Sequence, residues 1–502
     1  MMSKDSVRYM QMNTAEKIGY SILSFICNIP VYIWRIVKVI GLGLWSGIKA
    51  LVLGIANIIK IFFVGSLWTK VSYVIMGFGQ IFRGQTVRGV LFLALEAVFL
   101  FFMNSFGVKY LTDMVSLGDQ AVVKELNDWG LEVITYKDNS LQILLYGVLT
   151  AFVCLGFIAT WVMNVKGSYA IDKLRKQGLR PRNFKGDINA LVDEECYKTL
   201  MGIPMLGIVI FTVVPLVFMI LVAFTNYDYA HLPPTSLFDW VGLENFKNVL
   251  GLGSEGKFSY TFFQILLWTL IWALVATFSC YFLGILVAMM INKKGIKFKK
   301  GFRTILVLTI AVPQFVSLLL VSKMFADNGV VNGLLMNWGL ISEEIRFLTD
   351  PTLARIMVLL INLWVGIPYL MLIATGILMN IPADLYESAR IDGANAFQQF
   401  TKITMPYMLS VTGPYLLTSF VGNINNFNVI YLLTAGAPKT LEFEGGAGYT
   451  DLLITWLYTL SLEKNDYKMA AVIGILTFIV VAGISLIVYN VSPAMKNEED
   501  FQ

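Results

Sequence analysis

Two polar triads interrupt long apolar stretches of this sequence. Asn362, Gly366 and Tyr369 fall at i, i+4 and i+7, and Ser419, Asn423 and Asn426 repeat that spacing. On a helix each triad lies within about 60° of one face. Each covers about 10 Å of axis at ~1.5 Å per residue. Amides in the middle of an apolar run are costly unless partnered, so both sets should face a bundle interior or a wet cavity. Amides bond hydroxyls, and a tyrosine ring can stack on a pyranose face or donate a hydrogen bond. The chemistry suits a neutral polyhydroxylated ligand such as a sugar. No charged residue joins either triad, which argues against an ionic one. The competing reading is interhelical glue, worth roughly 0.6–2 kcal/mol per contact. Spacing alone leaves the two readings open.

Other chemistry fails on its residues. GLGSEGKF at 251–258 places Gly251, Gly256 and Lys257 as in a phosphate-binding loop. Phe258 stands where a magnesium-binding Ser or Thr is required, and no strand–helix context is expected there. Any work driven by ATP therefore calls for a separate polypeptide. Glu96 is the clearest acid inside an apolar run and could couple protons, or simply reach water near the end of its span. No Ser/His/Asp or Cys/His set can be assembled, so covalent catalysis is not expected. Cys27, Cys154, Cys196 and Cys280 show no CxxC spacing, and the single His231 lacks metal-ligand partners. A net charge of +5, without a basic tract interleaved with aromatics, does not argue for nucleic acid, and no nucleic-acid partner is expected.

The elements that must hold the triads are membrane helices. Of 502 residues, 57% are hydrophobic and 14% charged, against roughly 25% charged in soluble domains. Mean hydropathy is +0.69. The sequence predicts an all-α polytopic membrane protein with eight spans, near 91–106, 141–165, 201–224, 259–291, 304–323, 355–378, 406–434 and 468–490. One set of connectors holds 27 Lys and Arg and the opposite set 8, with KKGIKFKKGFR at 293–303 the strongest anchor. The basic side is cytoplasmic by the positive-inside rule, and both termini fall on it. The N-terminal MMSKDSVRYMQMNTAEK lacks the core of a cleavable signal. Residues 18–65 are apolar but interrupted by Arg35, Lys38, Lys49 and Lys60. They read as interfacial helices with a basic stripe toward headgroups, in preference to a two-span hairpin. Three regions result: an interfacial segment 1–90, two spans and a basic loop over 91–200, and a core over 201–495.

Between the sixth and seventh spans runs NIPADLYESARIDGANAFQQFTKITMP, too polar to span and too rich in helix formers for a linker. Pro382 suits a first helical turn. Gly393 permits a sharp turn. A second short helix near 395–404 would align Phe397, Phe400 and Ile403. The expected result is a compact cytoplasmic knob over 380–406.

That knob resembles the ATPase-docking "EAA" loop of ABC importer permeases. The pattern reads Glu387, Ser388, Ala389, then Asp392, Gly393, Ala394, Phe400, Ile403 and Pro406, with Ser388 in place of the usual second alanine. The resemblance implies a type I permease bundle and an ATPase-coupling role for Glu387, Ala389, Asp392, Gly393 and Ala394. NLWVGIPYLMLIATGILMNIP (362–382), SFVGNINNFNVIYLLTAGAP (419–438) and GYTDLLITWLY (448–458) are similar to the maltose/maltodextrin permease that provides the sugar site. By that similarity Asn362, Gly366, Tyr369, Ser419, Asn423 and Asn426 line the site. Gly422 departs, since a bulky aromatic is usual there, and implies a roomier pocket. The short 225–258 loop is similar to the Gram-positive form. The resemblance further implies a second related permease, a cytosolic ATPase dimer holding ATP and magnesium, and a lipid-anchored extracytoplasmic sugar-binding protein. The chain itself is then a transport subunit and no enzyme. Its cargo is maltose or maltodextrin, or alternatively a galacto-oligosaccharide, lactose or raffinose. The rival class is an ion-coupled secondary transporter.

Overall fold

Backbone amides inside a bilayer have no water to bond, so apolar runs of about 20 residues close their hydrogen bonds within helices. The computed structural model shows this along most of the chain and describes residues 14–126, 132–253, 256–293 and 295–491. It divides into a unit of residues 38–245 and a second of 246–502 with the first 37.

The helix α1 (Thr14–Val64) is continuous, in place of the shorter interfacial helices expected over 18–65. Its Val37–Val64 stretch is long and apolar enough to cross a membrane, although Lys38, Lys49 and Lys60 lie within it. After α1 come the short helices α2 (Leu67–Val71) and α3 (Phe78–Ile81). Three candidate spans follow: α4 (Thr86–Ser116), α5 (Ser140–Lys176) and α6 (Cys196–Val222). Phe99 of α4 stacks on Phe157 of α5 at 3.7 Å between ring centroids. The loop between α4 and α5 carries a small antiparallel hairpin, β1 (Val122–Leu126) and β2 (Glu132–Tyr136), with Val122 opposite Tyr136. Asn139 then caps α5 by accepting from the Leu141 and Gln142 amides.

A buried polar network fixes α2 and α3 against α5. Arg83 is 3% exposed. It donates to the Ser168 carbonyl at 2.7 Å, Thr69 at 2.9 Å and Asp172 at 3.1 Å, and also meets Ser66. Lys176 reaches the other Asp172 oxygen at 3.1 Å. One turn away, Asn164 accepts from the Gly77 amide and from Gln80, and donates to the Ser72 carbonyl. Glu96, the acid noted in the sequence, accepts from the Met76 amide at 2.7 Å. It is thereby assigned a structural partner. Removing one member of a buried ion pair leaves its partner uncompensated, at a cost of ~3–5 kcal/mol. Arg83→Ala should accordingly lower the thermal unfolding midpoint in detergent well below wild type. Lys176 remains beside Asp172, so the loss should fall at the lower end of that range.

In the second unit α7 (Gly256–Asn292) packs along α10 (Pro351–Leu378). Glycines permit the close approach. A Cβ on Gly284 would come 2.7 Å from Leu370, and one on Gly366 2.8 Å from the Cys280 sulfur. Small residues at such contacts let membrane helices pack backbone to backbone. One apolar cluster gathers Trp272, Val358, Ile430 and Leu452, and a second gathers Tyr281, Met371, Ala374 and Met408. Between these two helices lie α8 (Lys299–Ala311) and α9 (Gln314–Met324). The sequence predicts one span over 304–323, but α8 and α9 meet at 93°. Pro313 is the cause. It excludes the helical region for its predecessor, and Val312 sits at φ −81°, ψ 129°.

The knob expected over 380–406 contains α11 (Ala383–Ile391) and α12 (Ala396–Gln399). A π turn, Phe400–Thr404, joins α12 directly to α13 (Met405–Ile424). The second expected knob helix is therefore the first turn of the seventh span and not a separate element. That span also ends sooner than expected. Asn425 and Asn426 interrupt 406–434, and α14 (Phe427–Thr434) starts afresh. The unit closes with α15 (Leu453–Tyr458) and α16 (Tyr467–Val491), the latter matching the eighth expected span.

Candidate functional site

The break between α13 and α14 is what assembles the polar cluster. On one unbroken helix, Asn426 would be a side chain like Asn423. Here it is the N-cap of α14 and accepts from the Val429 amide at 3.3 Å, a favoured cap geometry. Its other end, Nδ2, donates to Asn362 Oδ1 and to Asn423 Oδ1, both at 3.4 Å. Asn423 Nδ2 donates to Thr277 Oγ1 at 2.9 Å. Asn362 Nδ2 points to the Cys280 sulfur at 3.8 Å. Trp272 Nε1 donates to the Asn423 carbonyl at 3.1 Å and holds the end of α13 in place. Three asparagines from both triads thus converge on α7.

The six expected site residues separate into layers. Asn362 is buried, while Asn423 and Asn426 are half-buried. Tyr369 is 53% exposed and packs its ring 6.4 Å from Tyr415. Ser419 sits beside the Tyr415 hydroxyl. Gly366 touches Cys280, so its part is helix packing. Gly366→Val is expected to separate α7 from α10 and cost ~1–3 kcal/mol, as overpacking does. Unfolding of the purified chain in detergent would show it. Gly422 faces open space, with nothing within 4 Å of an added Cβ.

Thr277, Cys280 and Tyr415 were not singled out from the sequence. Thr277 and Cys280 stand at i and i+3 of α7, with Tyr281 at i+4, the signal that could have found that pair, and Tyr415 lies four residues before Ser419 on α13. Tyr281 bonds Thr412 at 2.7 Å and ties α7 to α13 below the cluster. The two amide–amide contacts at 3.4 Å exceed the ~2.7–3.2 Å usual for N–H···O bonds. These amides hold each other loosely and can exchange one another for a ligand hydroxyl.

At the knob, α11 ends in a Schellman turn. The Ala394 amide donates to the Ala389 carbonyl at 2.8 Å and the Gly393 amide to the Arg390 carbonyl at 3.1 Å. Gly393 takes φ +79°, as its residue type predicts. Asp392 is the C-cap. The Asn395 and Gln398 side chains form a capping box at the start of α12. Tyr386 bonds Thr404 at 2.9 Å and staples the two arms of the turn. Glu387 is exposed, and among the described residues no ion pair joins it to Arg390. Ile391 and Phe397 are exposed at 86% and 73%. Phe400 packs on the Tyr281 cluster instead of lining up with Phe397. The π turn, with its wider i→i+5 spacing, shifts that face.

Residues 280–497 match the family described as the binding-protein-dependent transport system inner membrane component. The chain is 36% identical to the maltodextrin transport system permease protein MdxF of Bacillus subtilis, over 85% of this chain and 95% of that protein. It is 34% identical to the galactooligosaccharides transport system permease protein GanP of the same organism, over 85% and 97%. A crystal structure of a bacterial alginate ABC transporter, in complex with an alginate pentasaccharide-bound periplasmic protein, superposes with a TM-score of 0.50. It shares 24% identity over 61% of this chain and 96% of that one, and shows the shared fold. Identity of this order across nearly the whole length of both chains shows that the protein belongs to the binding-protein-dependent transport system inner membrane components, the multi-pass permease subunits of ABC importers.

Proposed function

We propose that the chain is the sugar-site permease of an ATP-driven maltodextrin importer. The observation that carries this is the Asn362–Asn423–Asn426 cluster beside Thr277, in a chain similar to MdxF over 85% of its length. Loosely paired amides without a nearby charge suit hydroxyls, and the Tyr369–Tyr415 pair offers a ring face at the exposed edge. The open space at Gly422 supports a wide pocket. Ser419 completes the wall, and Gly366 keeps α10 close against α7 behind it.

The partners follow from the family and the resemblance: a second related permease, a cytosolic ATPase dimer carrying ATP and magnesium, and a lipid-anchored external binding protein. The Lys-rich connectors 166–200 and 293–303 face the cytoplasm together with the knob. ATPase closure moves the knob, and α12 transmits the motion without interruption into α13, whose far end carries Asn423. Sugar passes from the binding protein to the cluster, and hydrolysis returns the bundle to its inward state. Galacto-oligosaccharide is the second reading, favoured by 34% identity to GanP.

Reconstitution tests this. The full complex in liposomes should take up labelled maltodextrin only with ATP and the binding protein present. Uptake that persists without ATP would sink the ABC mechanism. Preference for galacto-oligosaccharide over maltodextrin in the same assay would select the second reading.

A further inference from the structure

The first unit holds a long apolar groove that the transport reading leaves without a role. It runs between α1 and α5, encloses about 610 Å³, and is lined by Leu51, Ile55, Ile58, Phe62 and Ile158 among others. That volume falls within the ~300–1,000 Å³ of small-molecule sites. Its floor is built rather than incidental. Tyr73 stands edge-on to Phe62 at 5.2 Å and to Trp161 at 5.5 Å. The Tyr73 hydroxyl donates to the Ile58 carbonyl, and Trp161 Nε1 donates to the Tyr73 carbonyl at 2.9 Å. The polar atoms of the floor are thus satisfied inside the protein, and the groove wall presents carbon.

One end is cationic. Lys166 lines the groove, and the Lys70 ammonium lies 5.9 Å from the Phe62 ring centroid. Ser66, two residues beyond α1, meets Ser168 through Arg83. The Phe62 end of the groove is therefore the Lys166 end. Among the described residues neither lysine has a carboxylate within 4.0 Å. Asp172, the acid nearest in sequence to Lys166, is engaged by Arg83 and Lys176. The site thus pairs a carbon-lined slot along about three turns of α1 with two unneutralised ammonium groups at its mouth. A headgroup with negative charge and a hydrocarbon tail complements both parts. Basic pockets between membrane helices on the cytoplasmic side recognise acidic lipid headgroups.

We infer that this groove binds one anionic phospholipid, with an acyl chain along α1 and α5 and the phosphate at Lys70 and Lys166. The choice of leaflet rests on the orientation proposed above; the site itself does not. Gly54 lines the slot, and an added Cβ there meets nothing within 4 Å. Gly54→Trp can therefore fill the groove without straining α1, while Lys70→Gln with Lys166→Gln keeps its shape and removes its charge.

The test is lipid retention by the intact importer complex. The complex is extracted from nanodiscs of equimolar phosphatidylglycerol and phosphatidylcholine and analysed by native mass spectrometry. Wild type should keep one phosphatidylglycerol per chain. The double glutamine variant should bind it about thirty-fold more weakly, near fivefold for each lysine lost. Gly54→Trp should keep none, with an unchanged thermal midpoint. Equal retention of phosphatidylcholine, retention of a free fatty acid in place of phospholipid, or undiminished phosphatidylglycerol in Gly54→Trp would each overturn the inference.

Discussion

Gly393→Val is expected to reduce ATP-driven uptake at least tenfold while leaving the amount of protein in the membrane unchanged. Gly393 holds φ +79° in an exposed turn. An L-residue in the left-handed region pays ~1–2 kcal/mol, and a β-branched one is a genuine outlier there. Nothing lies within 4 Å of an added Cβ, so the variant meets no steric block and the bundle should fold. The strain must be relieved at the turn itself, by opening the Schellman bonds from Gly393 and Ala394. Those bonds set the angle between α11 and α12 and so the placement of Ile391 and Phe397, the exposed apolar pair of the knob. A shift of ~1.4 kcal/mol is already tenfold in a docking equilibrium. Gly393→Asn is the control, because asparagine tolerates the left-handed region. It should retain most of the uptake. Equal uptake and equal substrate-stimulated ATPase activity in Val and wild-type complexes would show that the turn does not couple the two subunits.

What could be read in the sequence divides along a physical line. Most spans and the Gly393 turn depend on local composition and on single-residue stereochemistry, and the chain states them directly. Breaks within apolar runs do not change composition. Val312–Pro313 and Asn425–Asn426 both sit inside stretches that remain hydrophobic on either side. Proline at 313 does carry a signal, because it fixes the conformation of its predecessor. The asparagine pair is ambiguous, since either residue can continue a helix or cap a new one. The single helical face expected over 419–426 is thus replaced by a broken helix. Asn423 and Asn426 converge with Asn362 because the helix stops, and not because they share a face. The Arg83 network was invisible for a different reason. Arg83 and Asp172 are 89 positions apart, and no local period joins them. The basic stripe on residues 38–60 argued for several interfacial helices. The apolar 28-residue stretch Val37–Val64 instead forms part of one helix, because three spaced lysines do not interrupt its backbone bonding.

The same broken helix decides what Asn423→Ala should do. Asn423 makes two side-chain bonds, donating to Thr277 and accepting from Asn426. As interhelical glue, each would be worth ~0.6 kcal/mol on average, and their loss would appear as a lower unfolding midpoint with little change in transport. As part of a sugar site, Asn423 also supplies a donor or acceptor to a ligand hydroxyl. Loss of such a bond in a desolvated site costs ~1–3 kcal/mol, so KM for uptake should rise between about fivefold and more than a hundredfold. Thr277→Val separates the two roles. It removes the same interhelical bond from the other side, yet leaves the Asn423 amide free to meet a ligand. If the cluster only binds helices together, Thr277→Val and Asn423→Ala will be equivalent in both stability and transport. If it binds sugar, Asn423→Ala will raise KM strongly while Thr277→Val mainly lowers stability. Adding Tyr369→Ala removes the ring at the exposed edge and should raise KM further, since among the described residues that ring shares no hydrogen bond with the amides. Wild-type KM in the Asn423→Ala, Tyr369→Ala double variant would place the sugar elsewhere in the bundle.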